Sequence, residues 1–126
     1  DVEIIIKEYK ASKGKEFFIS AEDIKNDIIV GFVRLRFPSQ FLREEITETS
    51  ALIRELHVFS LATQIGKKSD DSYQHRGIGK SLMRKAEEIA KQNGKTKVVV
   101  ISGIGVRSYF AQLGYKLDGP YMSKFL

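Results

Sequence analysis

Hydrophobic positions in the first third of the chain recur at strand period. Val2-Glu3-Ile4-Ile5-Ile6-Lys7-Glu8-Tyr9 is β-branched and partly alternating, which predicts a strand. Turn chemistry at Ala11-Ser12-Lys13-Gly14-Lys15 leads into a second strand at Glu16–Ala21, and the polar stretch Asp23-Ile24-Lys25-Asn26-Asp27 turns the chain into a third at Ile28–Phe37. In that third strand Val30, Phe32, Arg34 and Arg36 share one face, and Gly31, Val33, Leu35 and Phe37 share the other. Pro38 ends it. Three strands with short connections predict an antiparallel meander.

Beyond Pro38 the period changes. Residues 39–50 are polar and acidic and read as a loop or short helix, Ala51–Phe59 as a fourth strand with a helical alternative, and Ser60–Tyr73 as a long polar loop. Loops of that length in a small domain are often functional. Over Gly79–Asn93 the apolar residues Leu82, Met83, Ala86, Ile89 and Ala90 make one helical stripe, and Gly94 supplies the stop. Lys97–Ser102 predicts a short buried strand. Gly103-Ile104-Gly105 then opens a second helix carrying Val106, Tyr109, Phe110 and Leu113 at i, i+3, i+4 and i+7, before Gly114 ends it. Asp118-Gly119-Pro120 turns between short strands at Tyr115–Leu117 and Tyr121–Phe125. The order β-β-β-β-α-β-α-β predicts an α/β (α+β) domain with a mixed, mostly antiparallel sheet and flanking helices. The crossover through the long helix should join parallel strands with right-handed sense.

At 126 residues the chain has room for one core and therefore one domain. No apolar run is long enough to cross a bilayer and no signal-peptide pattern is present, so no membrane partner and a cytoplasmic location are expected. Zero cysteines exclude a disulfide, a thiolate nucleophile or an iron–sulfur site within this chain, and two histidines give no obvious metal site. The chain starts in strand-like sequence without an initiator methionine, which points to a piece of a larger protein. Net charge is +5, and residues 67–107 hold 10 Lys/Arg against 4 Asp/Glu, a local +6. That concentration suits a phosphate-bearing ligand or nucleic acid; a solvated lysine-rich helix face is the plainer explanation.

The positive region is centred on Tyr73-Gln74-His75-Arg76-Gly77-Ile78-Gly79-Lys80-Ser81. Its tail resembles the end of an ATP-binding loop, G-x-x-x-x-G-K-[ST], but the first glycine of that pattern would fall on Gln74, and polar loop rather than strand precedes it. A dinucleotide fingerprint fails as well, with Leu82 at the third glycine position. What remains is a glycine pair expected at the start of a helix, where Gly77 and Gly79 free the backbone from Arg76 to Lys80 to point N–H groups at an anion.

Gln74-x-x-Gly77-x-Gly79, with four strands before it and a strand and short helix after it, resembles the GNAT acetyltransferase superfamily, in which Q/R-x-x-G-x-G/A binds the pyrophosphate of acetyl-CoA. The resemblance covers essentially the whole chain. It implies that Gln74, His75, Arg76, Gly77, Ile78, Gly79 and Lys80 contact the cofactor. It also implies that the strand before the loop splays from the strand after the long helix, with the pantetheine amides pairing to the backbone near Glu55, Leu56, His57 and Val58.

Five blocks narrow the resemblance: Arg54-Glu55-Leu56-His57-Val58, Gln74-His75-Arg76-Gly77, Ala86-Glu87-Glu88-Ile89-Ala90, Val100-Ile101-Ser102-Gly103-Ile104-Gly105-Val106-Arg107 and Leu113-Gly114-Tyr115 followed by Gly119-Pro120-Tyr121-Met122. Together they are similar to the C-terminal domain of the Elongator catalytic subunit family. That family modifies the wobble uridine of tRNA, using acetyl-CoA bound in this domain. The resemblance implies tRNA as a partner and an upstream radical S-adenosylmethionine domain whose iron–sulfur cluster this chain does not carry.

Many GNAT enzymes place a proton-donating tyrosine four residues before the glycine that ends the second helix; here that position is Phe110. The adjacent Tyr109 is the candidate for the thioester contact, the proton or both, with a plain core position as the alternative, and Phe110 is expected in the core. Glu55 and His57 lie two apart on a strand and share a face, so either could order or deprotonate a nucleophile; His57 has the more suitable ordinary pKa. A histidine hydrogen-bonded within the sheet is the plainer alternative. Lys67 and Lys68 are candidates to cover acetyl-CoA or touch tRNA, and Arg34, Arg36, Arg84, Lys85, Lys91, Lys95 and Lys97 to contact RNA backbone. Two other functions fit the same residues: a free-standing N-acetyltransferase acting on lysine or a small amine, and a non-catalytic acetyl-CoA-binding module.

Overall fold

The computed structural model describes residues 2–11, 14–38, 44–59, 72–101 and 106–126, with the side chains of residues 11 and 72–76 left aside. The strands are β1 (Val2–Ala11), β2 (Gly14–Asp23), β3 (Ile28–Phe37), β4 (Ser50–Val58), β5 (Lys97–Val100), β6 (Lys116–Asp118) and β7 (Tyr121–Phe125); the helices are α1 (Ser72–Gln92) and α2 (Arg107–Gln112). They form one seven-stranded sheet in the order β1-β2-β3-β4-β5-β7-β6. All neighbours are antiparallel except β4 and β5, which pair in parallel from Ser50↔Lys97 to Ile53↔Val100. The expected α+β class, meander and parallel crossover are all present.

The core lies between one face of the sheet and the two helices. Phe17, Ile19 and Ala21 from β2, Val33, Leu35 and Phe37 from β3, and Ala51 and Ile53 from β4 meet Leu82, Met83, Ala86, Ile89 and Ala90 of α1. That is the predicted helical stripe, and each fully buried large side chain in it contributes roughly 1.5–3 kcal/mol. A small second cluster of Ile46, Leu52 and Val99 sits on the opposite face. No helix among the described residues is long and apolar enough to cross a membrane.

Most boundaries differ from the pattern by one or two residues, and three differences bear on the site. α1 starts at Ser72, seven residues ahead of the expected Gly79, and takes in Tyr73 from the expected loop. β5 ends at Val100 rather than Ser102. Val106 does not join the buried stripe of the second helix and is 45% exposed. The expectations for Lys67 and Lys68, and for Gly103 to Gly105, fall outside the described residues.

Candidate functional site

β4 and β5 share only four register pairs, and the last hydrogen bond between them runs from the Ile101 amide to the Ile53 carbonyl (3.1 Å). β4 continues to Val58 without β5 beside it. A bulge sits at the same point: Arg34 faces Glu55 and Leu35 faces Ile53, so Arg54 is an extra residue with no partner on β3. One extra residue reverses the alternation of the strand. Before the bulge the odd positions Ala51 and Ile53 enter the core; after it the even position Leu56 packs there, and Val58 lies near Gly79. Glu55 and His57 are thereby turned to the far face.

The backbone follows the same switch. The Phe59 amide donates to the Val30 carbonyl at 2.8 Å. In an antiparallel ladder alternate residues direct both peptide groups to the same neighbour, so Glu55, His57 and Phe59 bond β3. The peptide groups of Leu56 and Val58 point the other way, where β5 has ended, and have no strand partner among the described residues. Of the four residues expected to pair with a pantetheine arm, Leu56 and Val58 have the geometry for backbone pairing.

A cleft of about 360 Å³ occupies the gap, lined by Ile53, Arg54, Glu55, Leu56 and Val58 of β4, by Val100 and Ile101, and by Val106, Tyr109 and Phe110 near α2. Phe110 is 4% exposed and packs edge-on against Tyr109 and Tyr115, as a core residue should. Tyr109 is half-buried, and burial raises the pKa of its phenol above the ordinary value. It therefore keeps its proton at neutral pH, and its hydroxyl has no hydrogen-bond partner among the described residues.

The Tyr109 hydroxyl rests against Gly79. A Cβ on Gly79 would collide with that oxygen and lie 3.5 Å from Val58 Cγ2. This contact puts the second turn of α1 at the edge of the cleft. Gly77 differs: a Cβ there would meet nothing within 4 Å among the described residues, so none of them fills the space beside it. Because α1 starts at Ser72, its free amides belong to the first turn around Gln74 rather than to Arg76–Lys80, which are engaged in the helix. The amides from Arg76 to Lys80 are therefore not free to form the expected cradle; the free amides lie about one turn earlier.

Glu55 links the cleft to the open face. Its Oε2 lies 3.1 Å from His57 Nε2, and its Oε1 lies 3.5 Å from the Arg34 guanidinium. His57 itself does not line the cleft, and its ring stacks on Phe32 at 5.2 Å. Sequence alternation did place Glu55 and His57 on one face, but it gave no sign that only the glutamate reaches the gap. Several of the expected RNA contacts are already engaged. Arg34 and Arg36 pair with the buried Glu16, Lys95 donates to the Glu48 carbonyl, and Lys97 bridges Asp118 at 2.7 Å. No group of three or more metal-ligating side chains is found among the described residues.

A family model described as the acetyltransferase (GNAT) family matches residues 2–115. The tRNA uridine(34) acetyltransferase of Methanocaldococcus infernus is 46% identical over 127 residues, which covers 99% of this chain and 24% of that protein. Elongator complex protein 3 of Saccharomyces cerevisiae is 45% identical over 127 residues, covering 98% of this chain and 23% of that protein. Among solved structures, the archaeal Methanocaldococcus infernus Elp3 with an N-terminal deletion matches with a TM-score of 0.88 at 46% identity, over 99% of this chain and 30% of that one. The chain thus spans about a quarter of the length of these curated relatives. A match from residue 2 to residue 115, on a sheet that parts between β4 and β5, settles its kinship: the chain belongs to the GNAT acetyltransferase family.

Proposed function

We propose that the cleft between β4 and β5 binds acetyl-CoA, and that the chain is the acetyl-CoA-handling domain of a tRNA wobble-uridine-modifying enzyme. The observation that carries the reading is the parting of the two strands, which leaves the Leu56 and Val58 peptide groups facing an open slot. An extended arm bearing amides fits that edge as an added strand would. The space beside Gly77 and the positive end of α1 suit the pyrophosphate, with Gln74, His75, Arg76, Ile78, Gly79 and Lys80 on the same two turns.

When bound, acetyl-CoA supplies an activated acetyl group. Tyr109, still protonated, holds the thioester end and gives its proton to the departing sulfur. Glu55 accepts a proton from the nucleophile, whether water or an acceptor group, and His57 fixes the orientation of that carboxylate. Phe110 has no proton to give and is packed in the core, so among the described residues Tyr109 is the one hydroxyl that lines the cleft.

The uridine reading draws on the name of one relative, a tRNA uridine(34) acetyltransferase. In this reading a radical S-adenosylmethionine domain with its iron–sulfur cluster lies elsewhere in the longer protein, since the chain has no cysteine. The core position of Phe110 favours one alternative, a module that binds acetyl-CoA without turnover. Calorimetry with acetyl-CoA followed by a free-thiol release assay separates them. Binding with thiol release that rises on adding tRNA supports the proposal. Binding without release under any condition supports the module, and release stimulated by a lysine peptide but not by tRNA supports an ordinary N-acetyltransferase.

A further inference from the structure

The face of the sheet turned away from the helices carries a row of aromatic rings. Phe18 on β2 and Phe32 on β3 have centroids 5.0 Å apart and planes 26° apart; Phe32 and His57 on β4 are 5.2 Å and 26° apart. Phe59 extends the row beyond His57 at 6.2 Å and 18°. Phe32 and His57 are direct cross-strand partners, which holds their rings in step. Both described helices pack on the other face, and the row remains only half-buried, with the His57 side chain 53% exposed.

Two features say what kind of molecule the row suits. Charged groups surround it, with the guanidinium groups of Arg34 and Arg54 beside the Glu16 and Glu55 carboxylates, so it is not the continuous apolar surface a protein core would need. Arg54 is only loosely tied, 4.0 Å from Glu16 and 55% exposed, and is free to reach a phosphate or a ring carbonyl. The row is also continuous with the cleft, because Glu55 belongs to the cleft wall and contacts His57 in the row.

We propose that this row is a stacking platform for an unpaired nucleobase of an RNA strand, which it delivers to the cleft past Glu55. The proposal rests on acetyl-CoA occupying the cleft from the side of Tyr109, so that the acceptor enters from the open face. Near-parallel rings on a sheet surface accept a planar base by stacking, and the arginine holds the strand beside it.

Binding of a short oligouridylate to this chain, measured by fluorescence anisotropy, is compared with the same oligomer carrying an abasic central position. The abasic oligomer should bind about tenfold more weakly, within the range for one stacked base. Phe32→Leu and Phe59→Leu should each bring that ratio toward one, while the thermal midpoint and acetyl-CoA affinity stay close to wild type. The imidazole proton resonances of His57 should move upfield with the oligouridylate and stay in place with the abasic oligomer. Equal binding of the two oligomers by the wild-type chain would overturn the platform, as would a base preference unchanged in both leucine variants. Protection of Phe32 and Phe59 from hydroxyl-radical oxidation in the longer protein without RNA would also overturn it, by showing that polypeptide covers the face. Failure of the wild-type chain to bind acetyl-CoA sinks the cleft reading, whereas loss of the base preference alone sinks only the platform.

Discussion

The hydroxyl of Tyr109 lies against the α-carbon of Gly79, so the glycine of the helix and the tyrosine of the cleft occupy one site between them. Gly79→Ala should displace the ring and weaken acetyl-CoA binding about tenfold, although alanine is the better helix former. Removing the oxygen relieves the collision, because the next ring atom is 3.4 Å from the new Cβ. In a Gly79→Ala/Tyr109→Phe double variant the alanine should therefore cost little beyond Tyr109→Phe alone. A double-mutant cycle on acetyl-CoA affinity checks this, and strict additivity would contradict the contact.

Gly77 makes the opposite prediction for stability. With nothing among the described residues within 4 Å of a Cβ, Gly77→Ala should raise stability by up to about 1 kcal/mol through helix propensity. Acetyl-CoA binding should weaken all the same, because the methyl enters the space assigned to the pyrophosphate. Urea unfolding and calorimetry on one preparation measure both. A variant that is stabilised and binds normally would remove Gly77 from the site.

Phe110 should behave as core. Phe110→Ala should cost about 3–5 kcal/mol in denaturant unfolding. Phe110→Tyr adds a hydroxyl to a position 4% exposed, and should destabilise by about 1–3 kcal/mol without increasing thiol release. Faster release in Phe110→Tyr would return the proton-donor role to that position.

Much of this was legible in the chain. Alternation and helical spacing are local, so the meander, the stripe from Leu82 to Ala90 and the core position of Phe110 could all be read from side-chain order. The bulge at Arg54 could not. It depends on how β4 registers against β3, a long-range pairing, and it decides that Leu56 faces the core while Glu55 and His57 face out. Uninterrupted alternation would have put Glu55 on the same side as Ala51 and Ile53. The start of α1 was missed for a different reason. Gly77 and Gly79 each weigh against helix by about 1 kcal/mol, so local preference delays the helix to Gly79, whereas in the fold Ile78 packs against the core from within it.

Asp118 gives a pH test of the sheet edge. Lys97 and Ser123 hold its carboxyl below the ordinary aspartate value by hydrogen bonding the charged form. A lowered folded-state pKa means the stabilisation is present above the unfolded value, near 3.9, and is lost as pH falls through the folded one. Asp118→Asn should therefore cost about 1 kcal/mol at neutral pH, and its difference from wild type should shrink on acidification below that range. Chemical unfolding at neutral and acid pH reads the difference; a constant penalty would contradict the assignment.

Glu55 and His57 separate by function. Glu55→Gln should lower thiol release by about 10²–10⁴-fold at unchanged acetyl-CoA affinity, the usual scale for a lost proton acceptor. His57→Ala, which removes the contact to Glu55 and the ring from the aromatic row but leaves the carboxylate in place, should lower it less. Equal losses would move the proton transfer to the histidine.

The central claim is that the gap between β4 and β5 holds acetyl-CoA through the Leu56 and Val58 peptide groups. Amide resonances of the isotope-labelled chain, followed during titration with acetyl-CoA, test it most directly. The account predicts saturable binding within the micromolar to millimolar range typical of enzyme substrates, with the largest shifts at Leu56, Val58 and Gly77 and smaller ones at Tyr109. No saturable change at about millimolar ligand, or shifts that leave Leu56 and Val58 unmoved, would contradict it.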